Sequence, residues 1–146
     1  MISPIMIKFF PLISALSAMI ISQSIKLIIF AIKQNYSFKL SSLITAGGMP
    51  STHSALITCI ATSIGLKDGF HSTDFFLATI LSLVVIYDAR GIRYCVGEHA
   101  KVINHLILKN DQEKVNEFVG HTLTEVIAGI IIGIVIAICM YQIVIP

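Results

Sequence analysis

The sequence predicts an all-α, polytopic transmembrane bundle of about four apolar helices joined by a partly helical hydrophilic loop. Three observations predict it. First, 55% of the 146 residues are hydrophobic and 12% are charged, with a mean hydropathy of +0.88. A soluble domain carries roughly 25% charged residues, so much of this surface must face something other than water. Second, the apolar residues gather into four stretches, at about 9–32, 53–66, 74–88 and 122–145. Third, alternating strand patterns are absent, and backbone groups in lipid must be satisfied within their own segment, which favours helices.

The first stretch follows Lys8 and could start a signal peptide, but its apolar run is longer than the roughly 7–15 residues of such a segment. It is read as a retained spanning helix of about 20 residues or more. The two middle stretches are shorter. Ser54, Thr58, Thr62, Thr79 and Ser82 suit them to burial against other helices rather than to lipid. The last stretch is long enough to span unaided. Residues 34–50 form a polar, glycine-containing loop, and Lys67–Thr73 a short turn. Residues 89–120 form the long hydrophilic connection. Gly97–Leu108 reads as helical there, Asn110–Asp111 breaks the pattern, and Glu113–Val119 leads into the last helix. Residues 1–146 are expected to form one domain.

Four spans place the 34–50 and 89–120 loops on one side, with Lys33, Lys39, Arg90, Arg93, Lys101, Lys109 and Lys114; Lys8 and Lys67 lie on the other. The excess of basic residues makes the loop side cytoplasmic, in a plasma membrane of bacterial type. A net charge of +2 is too small to suggest nucleic acid. Cys59, Cys95 and Cys139 form neither a C-x-x-C pair nor a Cys/His cluster, and read as small apolar fillers. His99 and His105 lack an evident third ligand, so no metal site is expected.

Three polar elements fall on the loop side. Gly47-Gly48-Met49-Pro50-Ser51-Thr52-His53-Ser54 opens a helix, where free N–H groups and the helix dipole make a natural phosphate site and His53 adds a proton donor or acceptor. The plain alternative is an ordinary helix cap. Gly120-His121-Thr122-Leu123-Thr124-Glu125 opens the last stretch. His121 and Glu125 are four apart and share a face, which Gly129 and Gly133 continue toward a packed neighbour. A carboxylate on one imidazole nitrogen raises the basicity of the other, as a nucleophilic histidine requires. Thr122 and Glu125 also satisfy a capping box. The third element, Tyr87-Asp88-Ala89-Arg90-Gly91-Ile92-Arg93, sets an acid and two arginines where a span ends. Guanidinium groups suit phosphate, although charges there also anchor a helix end by snorkelling. Lys26, well inside the first stretch, is expected to snorkel.

GGMPSTHSA, YDARGIR with Gly97, Ala100 and Asn104 after it, and GHTLTEVIAGIIIG together resemble the divergent branch of the type-2 phosphatidic acid phosphatase superfamily, related to acid phosphatases and vanadium haloperoxidases. The resemblance runs from about Gly47 to Gly133. It implies that Ser51 and His53 match the P-S-G-H motif, with His53 protonating the leaving group. It implies that His121 attacks phosphorus to form a phosphohistidine, and that Glu125 stands where the orienting aspartate would be. Gly48, Ser51 and Thr52 would line the phosphate, and Lys39 echoes the lysine of the first motif. Val115 stands in place of the arginine six residues before the nucleophile, and Ala46-Gly47 in place of Arg-Pro. Arg90 and Arg93 are expected to supply the missing positive charge.

The expected function is a membrane phosphatase-like protein that hydrolyses a lipid phosphate or other membrane-associated phosphate monoester, without a cofactor. The alternative is a catalytically inactive membrane protein that binds an anionic headgroup or scaffolds partner helices. The small-residue spacing of the last helix is compatible with a homo-oligomer or with internal packing.

Overall fold

In the computed structural model, residues 4–33, 48–106, 115–117 and 119–145 are described. They form five helices: α1 (Pro4–Lys33), α2 (Thr52–Asp68), α3 (Thr73–Arg90), α4 (Ile92–Leu106) and α5 (Leu123–Val144), with no strand among the described residues. Three stretches are long and apolar enough to cross a membrane: Ile5–Ile32, Thr73–Leu106 and Leu123–Val144. α2 has 17 residues, about 25 Å at 1.5 Å per residue.

α2 occupies the centre, packed against α1, α3 and α5. Its composition explains the placement. Ser54, Ala55, Ile57, Cys59, Ala61, Ser63 and Gly65 are all buried, so its small and hydroxylated residues meet protein on several sides. The flanking helices carry the lipid-facing load, with Leu77, Ile80, Leu83, Ile131 and Val135 more than half exposed.

The direction of each helix follows from its contacts. Ser51 N–H donates to the Glu125 carbonyl at 3.0 Å, and Ala18, Cys59 and Ala137 cluster in the middle of the bundle, so α2 and α5 run parallel. Phe10 meets Tyr141 edge to face at 5.8 Å, which pairs the start of α1 with the end of α5. α1 is therefore antiparallel to both. Ser72 caps α3 after a tight turn, where its Oγ accepts from Phe75 N–H.

α2 and α5 approach closely because α5 presents glycine at the contact. A Cβ on Gly129 would lie 2.4 Å from the Ser51 carbonyl oxygen, and one on Gly133 2.5 Å from that of Ala55. The pair is therefore occupied by an internal neighbour. The buried stripe His121, Gly129, Gly133 and Ala137 runs at the four-residue spacing that the sequence predicts.

Differences from the sequence reading lie at boundaries. The helical part of the 89–120 connection starts at Ile92 rather than Gly97, which places Cys95 in a helix instead of a loop. Most of the 34–50 loop and the Asn110–Asp111 break lie outside the described residues.

Replacing Gly133 with Leu is expected to destabilise the bundle by about 1–3 kcal/mol through overpacking. Ile131→Val, on the lipid-facing side, should stay within about 0.5 kcal/mol. Unfolding midpoints in a fixed detergent would check both.

Candidate active site

The helix starts of α2 and α5 lie side by side, joined by the bond from Ser51 N–H to the Glu125 carbonyl. Each start is capped from within. The Ser51 Oγ accepts from Ser54 N–H at 3.3 Å and from the Ser54 hydroxyl at 2.9 Å. Thr122 and Glu125 form a complete capping box. Both plain alternatives offered by the sequence are therefore realised, and neither displaces the histidine arrangement.

His121 sits just before the cap of α5 and is 2% exposed. Its backbone N–H donates to the Ala89 carbonyl at 3.1 Å, which ties it to the end of α3. Its Nδ1 lies 3.0 Å from Glu125 Oε2, and the same oxygen accepts from Thr122 N–H at 3.1 Å. An ionised carboxylate only accepts, so Nδ1 carries the proton and Nε2 keeps its lone pair. Nε2 is buried and has no hydrogen-bond partner among the described residues. Burial holds the His121 pKa below the usual histidine value; the Glu125 bond opposes this shift and the charge of Lys26 adds to it. The ring is thereby kept neutral at neutral pH.

His121 lines a cavity of about 310 Å³ together with His53, Val84, Val85, Asp88, Ala89, Arg93 and Val119. Four connected pieces of chain meet there: the first turn of α2, the last two turns of α3, the start of α4 and the lead-in to α5. Gly91 makes the meeting of α3 and α4 possible. Its N–H bonds back to the Tyr87 carbonyl at 2.7 Å, and a Cβ there would lie 2.8 Å from that oxygen. The break lets Arg93 double back, so its Nε reaches Asp88 Oδ2 at 2.6 Å.

α4 also holds the lead-in. The Asn104 Nδ2 donates to the Val115 carbonyl at 2.8 Å and to Glu117 Oε1 at 2.7 Å, while its Oδ1 accepts from Val115 N–H at 2.9 Å. Gly97 and Ala100 are buried on the same helix. Position 115, where the wider superfamily would carry arginine, therefore serves as a backbone anchor.

The structure brings His53, His121 and Arg93 to one cavity and sets Glu125 behind His121. Of the other sequence-selected residues that are described, it brings none to the cavity wall. Ser51 is fully buried as a cap. The Thr52 hydroxyl donates to Gln23 Oε1 of α1 at 3.0 Å. Gly48 packs near the Lys26 stem. Arg90 turns away and lies over the Tyr94 ring at 4.7 Å. Lys39 lies outside the described residues. Among the described residues, no group of three or more His, Cys, Asp or Glu side chains is placed to hold a metal ion.

Lys26 is the residue that the sequence reading placed wrongly. It is 6% exposed and does not snorkel. Its charge acts on His53 and His121 and is felt by Glu125. A signal was present: Phe10, Ser14, Ala18, Ser22 and Lys26 recur every four residues, and all are buried. That stripe carries Lys26 on the inward face of α1.

These features define an integral membrane protein with a histidine-bearing cavity at one end of its bundle. The chain belongs to the divergent PAP2 family, whose model matches residues 7–136. It is also similar to the uncharacterised membrane protein YuiD of Bacillus subtilis (strain 168), at 35% identity over 90% of this chain and 93% of that protein. No solved structure matches the chain.

Nitrogen NMR of His121 should report a protonated Nδ1 and an unprotonated Nε2 at neutral pH, with titration below 6.5. Glu125→Gln removes the interaction that raises the pKa, so titration should move lower still and the tautomer preference should weaken.

Proposed function

We propose that the protein is a membrane phosphatase that hydrolyses a lipid phosphate or another membrane-associated phosphate monoester through a phosphohistidine on His121. One observation carries the reading: a buried histidine bonded through Nδ1 to Glu125 has an Nε2 without a partner among the described residues and shares a cavity with a second histidine. Family membership supports a phosphatase-related membrane protein.

The chemistry follows from these groups. The Nε2 lone pair attacks phosphorus as the P–O bond to the alcohol breaks, and protonated His53 gives its proton to the departing oxygen. Glu125 stabilises the positive charge that develops on the His121 ring. Water then attacks the phosphohistidine, neutral His53 accepts a proton from it, and inorganic phosphate leaves with His121 restored. Arg93 and Lys26 offset the charge on the phosphoryl oxygens.

The bias of basic residues supports a cytoplasmic active-site face. Cys95, exposed on α4, offers a native probe. A membrane-impermeant thiol reagent should modify it in inverted vesicles and spare it in intact cells.

The central test is phosphate release from lipid phosphates by the purified protein in detergent. His121→Ala should fall to background and His53→Ala should lose about 10²–10⁴-fold. Activity should rise with pH as His121 deprotonates, with that limb below 6.5, and fall again as His53 loses the proton it donates, giving a bell-shaped profile. Equal release by wild type and both variants would instead favour a non-catalytic headgroup-binding protein.

A further inference from the structure

Asp88 is a carboxylate in the wall of a cavity read as an anion site. By charge alone it should oppose phosphate there, and Arg93 would be the obvious residue for it to neutralise. The geometry points to a different role: we propose that Asp88 is a positioning residue that holds Arg93 by Nε and leaves the two terminal guanidinium nitrogens to the phosphoryl oxygens. The proposal rests on the phosphate-ester reading of the cavity.

Three observations carry it. Asp88 Oδ2 meets Nε at 2.6 Å, and neither Nη forms a hydrogen bond among the described residues. Guanidinium recognises phosphate by paired parallel N–H donors, and the terminal pair is one such fork. Second, both residues line the same cavity as His53 and His121. Their charges also act on His53. Third, the contact crosses the Gly91 break: Asp88 belongs to the end of α3 and Arg93 to the start of α4. In an unbroken helix, residues five apart do not share a face. The bend between the helices therefore brings the carboxylate to the Nε edge of the arginine.

The pair does little for the fold. Its side chains are 37% and 46% exposed, and ion pairs at that exposure stabilise weakly. An arginine at a cavity mouth has many rotamers, however, and fixing one lowers the ordering cost when the anion arrives. Arg90 has no such carboxylate contact among the described residues and lies over the Tyr94 ring instead.

The two roles predict opposite signs, which makes the experiment decisive. Orthovanadate and inorganic phosphate binding would be measured by calorimetry on the purified full chain, beside KM and kcat for a lipid phosphate. If Asp88 positions Arg93, Asp88→Ala weakens oxyanion binding by roughly tenfold and raises KM more than it lowers kcat. Arg93→Gln does the same, and the double variant is no worse than Arg93→Gln alone, because the two act as one unit. Asp88→Asn keeps an acceptor for Nε and should lie between wild type and Asp88→Ala. Unchanged or tighter binding in Asp88→Ala overturns the proposal, since that is what removing a simple negative charge would do. Additive losses in the double variant overturn it equally. Absence of oxyanion binding in wild type would overturn the phosphate reading itself and this role with it. A wild type that binds, with an Asp88→Ala variant that binds more tightly, would remove this role alone.

Discussion

The site depends on how Glu125 divides its oxygens. One carboxylate oxygen accepts from both the His121 ring and the Thr122 amide, and the backbone carbonyl accepts from Ser51 at the start of α2. A single residue therefore caps its own helix, fixes the histidine tautomer and fastens the α2 entrance to α5. Each bond constrains the others. The capping box sets the side-chain rotamer that reaches His121, and the backbone bond sets how far His53 can stand from it. The close approach at Gly129 and Gly133 continues this register along the bundle, since the Ser51 carbonyl packs where a Cβ on Gly129 would lie.

Membrane burial raises the stakes of every charged group at this end of the bundle. A lysine buried among helices is costly unless its charge is offset, and the field of Glu125 offsets part of that cost for Lys26. That assigns Glu125 an electrostatic role beside its hydrogen bonds. It also explains how α1, which contributes no residue to the cavity wall, still bears on the site. Gln23, one turn before Lys26, meets the Thr52 hydroxyl and sets α1 against the same helix entrance.

The parts of this arrangement legible in the sequence were those with a period or a motif. Helix number and type followed from long apolar runs, and the inward face of α5 from His121, Glu125, Gly129 and Gly133 at four-residue spacing. The same rule applied to α1 would have found Lys26, but the uniform apolarity of that helix hid a stripe marked mainly by small residues such as Ser14, Ala18 and Ser22. Arg90 and Arg93 could not be told apart by composition. What separates them is the turn at Gly91, which sends Arg93 back to Asp88 and leaves Arg90 beside Tyr94. Ser51 looked like a phosphate ligand because serine at a helix start serves equally as a cap, and its burial with Ser54 makes the cap the role it fills here.

The balance of charge bears on what such a cavity could accept. Lys26 and Arg93 are opposed by Glu125 and Asp88, so the four together carry no formal net charge. Attraction for an anion must then come from where the charges point rather than from their sum. Glu125 is turned toward the His121 ring and the α5 cap, and Asp88 engages Arg93 through Nε. With both acids committed to neighbouring donors, His121 Nε2 and the terminal nitrogens of Arg93, which have no hydrogen-bond partner among the described residues, are left to meet the proposed oxyanion. In a wider superfamily that relies on extra arginines, a chain lacking them at positions 46 and 115 would need this kind of directional economy. The acids would then be as important to anion binding as the bases.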